Sequence, residues 1–262
     1  MKLKGKVVLV TGAGRGIGKA LALGFAAEGA DVVVVSRTRN EIEVTAEEIN
    51  KLGRKTLALE ADVSQEHDVR RIADEISNWL GRLDIIINNA ALRMIHIGNR
   101  DSYLVSFSEI TIDDWDKMIA TNLRGPFISI KTCLPLLAKA GAGSIINISA
   151  GAGKRGVMGR VPYCASKFGL EGLTQSLAEE FRSLNIAVNS LSPGRLSILT
   201  DAAKRDELKK NSEIRFMKPE IMVPPAIFLA LQDSRGTSGQ HIEALEWVSQ
   251  HGLGGVAEWR AT

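Results

Sequence analysis

Short, unbroken apolar runs recur along the chain, separated by longer stretches in which apolar residues return every three or four positions. The runs Lys6–Val10, Asp31–Arg37, Thr56–Val63, Leu83–Ala91, Ser144–Ser149 and Ile186–Ser192 predict strands. A run with no polar alternation suits a strand covered on both faces, as in a parallel sheet. Between the runs, helical spacing covers 39–52, closed by Gly53, then 65–80, closed by Gly81. It returns over 113–140, where Pro126 and Pro135 mark kinks or a break, and again from Tyr163 to Phe181. Strands alternating with helices predict an α/β fold.

Where the first run ends, the chain reads Thr11-Gly12-Ala13-Gly14-Arg15-Gly16-Ile17-Gly18 and passes straight into an Ala/Leu-rich helix. Glycines permit the turn, allow close backbone approach, and let helix and strand pack together. A helix starting there aims unpaired N–H groups and its positive dipole end at the space above the turn, which suits a phosphate. The spacing differs from G-x-G-x-x-G, so a plain strand-to-helix turn stays open on these residues alone.

The second run closes on Ser36-Arg37. A dinucleotide site for NAD places a carboxylate there, whereas a cation accommodates the 2′-phosphate of NADP. Arg15 in the glycine turn adds a second cation; both arginines are equally readable as solvated surface residues. Asp62 ends the third run and suits either an adenine amino group or a helix cap, with Ser64 the stronger cap candidate. Asn88-Asn89-Ala90 closes the fourth run, at the strand end where open α/β sheets bind ligands.

Tyr163 and Lys167 stand one helical turn apart and project from one face. A lysine ammonium beside a phenol favours the phenolate and lowers its pKa, as a tyrosine acting in acid–base catalysis requires. An ordinary surface pair is the alternative.

Bulk properties narrow the field. The chain has 262 residues, 45% of them hydrophobic and 24% charged, within the range of a single globular domain spanning 1–262. The net charge of +3 is small and its cations are interspersed with acids, which argues against nucleic acid or a polybasic membrane patch. No apolar run is long enough for a membrane span, and the first strand begins too early to leave room for a signal peptide. Cys133 and Cys164 lack metal-ligand spacing and the four histidines are scattered, so no metal site is expected and a reducing, cytoplasmic setting is.

In combination, Thr11-Gly12-x-x-x-Gly16-Ile17-Gly18, Asp62-Val63, Asn88-Asn89-Ala90, Asn122 in Thr-Asn-Leu-Arg-Gly, Tyr163-x-x-x-Lys167 and Pro193-Gly194 resemble the short-chain dehydrogenase/reductase family in order and separation, over nearly all of the chain up to about residue 240. The resemblance implies a Rossmann-like, doubly wound parallel sheet with helices on both faces, binding NAD(P), with NADP preferred and NAD possible. Gly12, Arg15, Gly16, Ile17, Gly18, Ser36, Arg37, Asp62, Val63, Asn89, Ala90, Pro193 and Gly194 would line the cofactor together with Tyr163 and Lys167. Tyr163 would exchange a proton with the substrate oxygen as hydride passes between nicotinamide and a secondary alcohol or carbonyl carbon. Lys167 would hold the nicotinamide ribose and lower the tyrosine pKa, and Asn122 would support a relay water.

Where the family carries its catalytic serine this chain has Ala150; Ser149 is the nearby substitute, although adjacent residues of a strand point to opposite faces. That gap keeps two further readings open, a dinucleotide-binding sensor without redox activity and a non-redox lyase or epimerase. Residues 92–105, 151–160 and 195–218 would form the substrate pocket, with 196–218 as a substrate loop. The 240–262 tail departs from the family ending. Homodimers or homotetramers, built through the helices at 113–140 and 163–184, are expected by resemblance.

Overall fold

The computed structural model describes residues 1–97, 104–194 and 216–261. Seven parallel strands form one sheet in the order β3-β2-β1-β4-β5-β6-β7. They are β1 (Val7–Thr11), β2 (Asp31–Ser36), β3 (Thr56–Glu60), β4 (Ile85–Asn88), β5 (Gly143–Ile148), β6 (Ile186–Ser192) and β7 (His241–Glu243). Sequence-consecutive strands β3 and β4 lie apart, with β1 between β2 and β4, so the winding reverses beside β1 and a crevice opens at the strand ends there.

The unbroken apolar runs follow from this layering. Along β1, Val8 and Val10 enter one core with Ile42, Phe25 and Leu21, while Val7 and Leu9 enter the other with Ile72, Ile130 and Leu137. One face is covered by α1 (Gly16–Ala27), α2 (Arg39–Lys51) and two C-terminal helices, Val223–Ala230 and Ala244–Gln250. The other is covered by α3 (Glu66–Trp79), α5 (Gly125–Lys139) and α6 (Val161–Glu180). Both faces of each central strand are therefore dry, and period-two alternation between polar and apolar has no place in them.

The helical spacing at 113–140, expected to kink or break at Pro126 and Pro135, is three pieces divided before either proline: α4 (Ile112–Ile119), a π-helical turn at Ala120–Arg124, and α5. Thr111 caps α4, accepting from the Asp114 amide while the Asp114 side chain returns to the Thr111 amide. Pro126 sits in the first turn of α5, where a missing N–H costs nothing, and Pro135 lies within the helix. The tail supplies the seventh strand: β7 pairs with β6, and an α-helix follows directly from Ala244. The last residues return to residues 216–218, through hydrogen bonds from the Lys218 amide to the Trp259 carbonyl and from the Ala261 amide to the Phe216 carbonyl. Among the described residues no helix is long and apolar enough to cross a membrane, and no His/Cys/Asp/Glu group could hold a metal ion.

Asp84, just before β4, is the buried charge at the opposite end of the sheet from the crevice. Its carboxylate accepts from the Val7 amide at 3.0 Å, Lys6 Nζ at 3.1 Å and Arg82 Nη2 at 2.6 Å, and only 1% of its side chain is exposed. Burial alone would raise its pKa, but the bonds from Arg82, Val7 and Lys6 together hold it below the usual carboxylate range. A depressed folded-state pKa contributes stability that is present above the unfolded value and lost as pH falls through the folded one. Asp84→Ala should therefore cost about 2 kcal/mol at pH 7 in urea unfolding, with the penalty shrinking below about pH 4. A penalty that stays constant down to pH 3 would contradict this account.

Candidate functional site

The crevice is built first by the turn from β1 into α1. Gly12 and Gly16 take φ of +65° and +59°, a region open to glycine at no steric cost. Gly18 is close-packed: a Cβ there would lie 2.1 Å from the Gly12 carbonyl oxygen and 2.5 Å from Asn89 Nδ2. Arg15 stands at the N-cap of α1 with no side-chain cap, and no acid occupies the first turn, so side chains leave the helix end open to an anion. These features fit a pyrophosphate. Ile17 packs against the core and holds the helix start down.

Thr11, absent from the predicted site, ties this turn to β4. Its hydroxyl accepts from the amides of Asn89 and Ala90 at 3.0 and 3.1 Å, and Asn89 Nδ2 donates back to the Thr11 and Gly12 carbonyls at 2.9 and 3.1 Å. Asn89 thus holds the turn's backbone. In the sequence it stood only as the residue that opens the glycine motif.

Ser36 and Arg37 follow β2. The Ser36 hydroxyl donates to the Thr38 carbonyl and accepts from the Thr38 amide, both at 3.1 Å. Arg37 is largely exposed and lies 3.7 Å from Asp62 Oδ2, and Arg15 is equally exposed 3.8 Å from Glu41 Oε1. Pairs this long and this wet are worth little, so both guanidiniums can be drawn to another anion. Arg37, Arg39, Arg71, Glu60 and Asp62 help to line a hollow of about 610 Å³ beside β2 and β3. Asp62 caps no helix: its carboxylate accepts from the Ser64 amide and hydroxyl at 2.9 and 2.7 Å. Ser64 does not cap either; the N-cap of α3 is Gln65, without a side-chain bond. Val63 is buried against Gly125.

The second half of the site hangs from α6. Tyr163 lies in its first turn, partly exposed, against an apolar cluster of Leu92, Met94, Ile97, Val105, Ile110 and Met118. Lys167 is buried, and its Nζ donates to the Ile148 carbonyl at 2.7 Å while lying 5.9 Å from the Tyr163 ring centroid. Burial lowers the lysine to about 8, opposed by the Glu171 carboxylate and reinforced by Arg93. The tyrosine departs from expectation. Its pKa is raised, because burial disfavours the phenolate more than the Arg93 and Arg160 guanidiniums favour it. Lys167 is occupied with a backbone carbonyl, and its charge does not offset that penalty.

Asn122, in the π-helical turn, uses both ends of its amide on Leu92, accepting from the Leu92 amide at 2.7 Å and donating to its carbonyl at 2.9 Å. It also donates to Ser166 Oγ at 3.2 Å. Its side chain is a clamp that fixes the segment after β4 against α6.

Ser149 is the clearest correction. The Ser149 amide continues the β5 ladder to the Leu191 carbonyl, so the backbone is still extended, and Ala150 is extended too at φ −157°. Neighbours in such a chain face opposite ways. Ser149 therefore turns into the interior and donates to the buried Glu171 carboxylate, and it cannot stand in for the hydroxyl that Ala150 lacks. Pro193 and Gly194 follow β6; Gly194 has φ +90°, and its amide donates to Ser192 Oγ at 3.3 Å. Much of the expected pocket, residues 98–103 and 195–215, lies outside the described residues. Cys133 and Cys164 are free and buried, and burial pushes the Cys133 thiol up to about 12, which removes it from chemistry.

Glycine turn, Asn89-Ala90, Leu92 and Tyr163 thus form one continuous line across the carboxyl ends of β1, β4 and β5. The family model described as short chain dehydrogenase matches residues 6–211. A 3-oxoacyl-(acyl-carrier-protein) reductase FabG of Thermotoga maritima is 34% identical over 247 residues, covering 92% of this chain and 97% of the relative. The corresponding reductase of Staphylococcus aureus is 36% identical over 244 residues, with 90% and 95% covered. A metagenomic short-chain oxidoreductase, solved in complex with NADP, superposes with a TM-score of 0.77 at 29% identity and covers 93% of this chain and 97% of that one.

Proposed function

The chain belongs to the short-chain dehydrogenase family, and on that premise we propose that it interconverts a secondary alcohol and a ketone or aldehyde, with NADP preferred and Tyr163 as general acid and base. The observation that carries this reading is the pairing of Tyr163 with Lys167 on α6, at the end of a line that begins in a phosphate-fitting glycine turn. The turn at Gly12–Gly18 would hold the pyrophosphate, Asn89 and Ala90 the adjoining ribose, and Arg15 and Arg37 a 2′-phosphate. A bound nicotinamide supplies or accepts the hydride. Tyr163 donates its proton to the carbonyl oxygen in reduction and recovers it from the hydroxyl in oxidation. A phenol whose pKa is raised stays protonated at neutral pH, which suits the proton-donating, reductive direction. Lys167, its Nζ 5.9 Å from the Tyr163 ring centroid, would hold the nicotinamide ribose.

One observation favours a second reading, a dinucleotide-binding subunit with little redox activity: Ala150 offers no hydroxyl to the substrate oxygen, and Ser149 faces Glu171. Loss of one such donor commonly costs two to three orders of magnitude in rate. Self-association fits a shallow apolar groove of about 440 Å³ between α5 and α6, where Leu123, Phe127 and Leu173 flank Gly169 and Gly172, and Phe127 is 46% exposed.

Tyr163→Phe should lower turnover by about 10²- to 10⁴-fold while NADPH binding, followed by nucleotide fluorescence, stays intact. The assay is NADPH absorbance against a carbonyl panel that includes 3-oxoacyl thioesters. Turnover within tenfold of the parent would remove Tyr163 from the chemistry, and NADPH binding with no turnover on any panel would favour the second reading. Arg37→Ala should weaken NADPH by about tenfold, roughly 1.4 kcal/mol, and leave NADH nearly unchanged; equal losses would contradict the 2′-phosphate assignment. Phe127→Glu should convert the dimer or tetramer expected in sedimentation velocity into monomer, and a parent protein that already sediments as monomer would sink that proposal.

A further inference from the structure

Beneath Lys167 lies a buried polar cluster for which the proposed reaction has no use. Glu171 follows Lys167 by one turn of α6, so Tyr163, Lys167 and Glu171 form a stripe along one helix face. The Glu171 carboxylate is almost fully enclosed, yet three groups, from the end of β5, from β6 and from β7, converge on it. Ser149 Oγ donates to Oε1, Ser190 Oγ donates to Oε2 at 2.7 Å, and His241 Nδ1 lies 2.8 Å from Oε1. Ser192 Oγ lies 3.0 Å from His241 Nε2 and itself accepts from the Gly194 amide.

The hydrogen bonds of the cluster are mutually consistent. With Nδ1–H directed at Glu171 and shared with Ser190 Oγ at 2.9 Å, Nε2 is the acceptor for the Ser192 hydroxyl, and every hydrogen of the cluster finds an acceptor. Burial would raise the Glu171 carboxyl, but the bonds from His241, Ser149 and Ser190 outweigh it and hold the group below the usual carboxylate range. The charged groups that bear on Lys167 are Glu171 on its own helix and Arg93 from the segment after β4; on Tyr163 they are Arg93 and Arg160. Lys154, beyond β5, lies 3.6 Å from Glu243. Glu171 is accordingly the carboxylate that opposes the loss of the lysine's proton in a site otherwise lined by arginines.

We propose that Glu171, fixed by Ser149, Ser190 and His241, is a positioning residue that keeps Lys167 protonated, and with it sets the pH range over which the Tyr163–Lys167 pair can serve. The inference rests on the reading of Tyr163 and Lys167 as the reacting pair. It also gives Ser149 a role: its hydroxyl serves the carboxylate below the site, not the substrate above it.

Lys167 can be followed directly in the ligand-free protein by the ¹³Cε resonance of labelled lysine, assigned by its disappearance in Lys167→Arg. Its midpoint is expected near 8 in the parent chain, and Glu171→Gln should move it down by about one pH unit. The alkaline limb of kcat/KM for carbonyl reduction should move with it. Glu171→Asp, which keeps the charge but withdraws it by one methylene, should fall between the two and serves where the Gln variant does not fold. Thr174→Val breaks the buried bond to Asn147 one turn further along α6 and should lower Tm without moving the lysine midpoint. An unmoved midpoint in both Glu171 variants, or an equal displacement in Thr174→Val, would overturn the inference. An active Tyr163→Phe variant would instead overturn the catalytic reading beneath it, while the ligand-free midpoint would still decide what Glu171 does to Lys167.

Discussion

The site depends on the way α6 is fastened to the sheet. Apolar contact alone holds a helix against strands without fixing its rotation or its slide, because dispersion and hydrophobic burial carry little direction. Here three successive turns of α6 carry directional bonds into the sheet: Lys167 to the Ile148 carbonyl, Glu171 to Ser149 and Ser190, and Thr174 to Asn147, which in turn accepts from Asn88 at 2.9 Å. Each bond lies in a dry interior where a broken one would leave an unpaired polar group. A rotation of α6 that moved Tyr163 in the crevice would break several of them at once. The reacting phenol inherits its placement from groups up to three turns away.

The same logic ties the nucleotide-fitting turn to the rest. Close packing at Gly18 sets the distance between α1 and β1, and the Thr11–Asn89 exchange sets the turn against β4. Asn122 then carries the register onward by gripping both backbone groups of Leu92 and donating to Ser166 Oγ, which in turn donates to the Tyr163 carbonyl at 2.8 Å. Turn and phenol stand far apart in the sequence, yet a short series of side-chain bonds, most of them to backbone, connects them. Such bonds are well suited to the task, since a backbone group cannot change rotamer.

The layers of the fold were legible because doubly covered strands leave an unmistakable mark: Val7–Val10 and Asp31–Val35 admit no polar residue between their apolar ones. Tyr163 and Lys167 were legible for a similar reason, as a one-turn spacing puts both on one face. What stayed hidden involves groups brought together from distant positions. Nothing in the spacing of Ser149, Glu171, Ser190 and His241 announces that they meet, because the sheet order that joins them is a property of the whole fold. The π-helical turn at Ala120–Arg124 was equally hidden, since a single widened turn barely disturbs the apolar period on either side. The tyrosine's raised pKa was missed because the one-turn spacing promises proximity to Lys167 without saying where the ammonium points. It points to Ile148.

The exchange between positions 149 and 150 shows how a one-residue step changes function. On an extended backbone the two side chains leave from opposite faces, so a hydroxyl at 150 would look into the crevice and a hydroxyl at 149 looks into the core. A buried serine would be a poor choice unless something there required a hydrogen bond, and the ionised Glu171 does. The carboxylate could not remain charged in that interior with a methyl group at 149 and an apolar side chain at 241, because each of its oxygens relies on donors from neighbouring strands. Ser149, Ser190 and His241 are therefore best understood as one unit whose common requirement is the negative charge beneath Lys167.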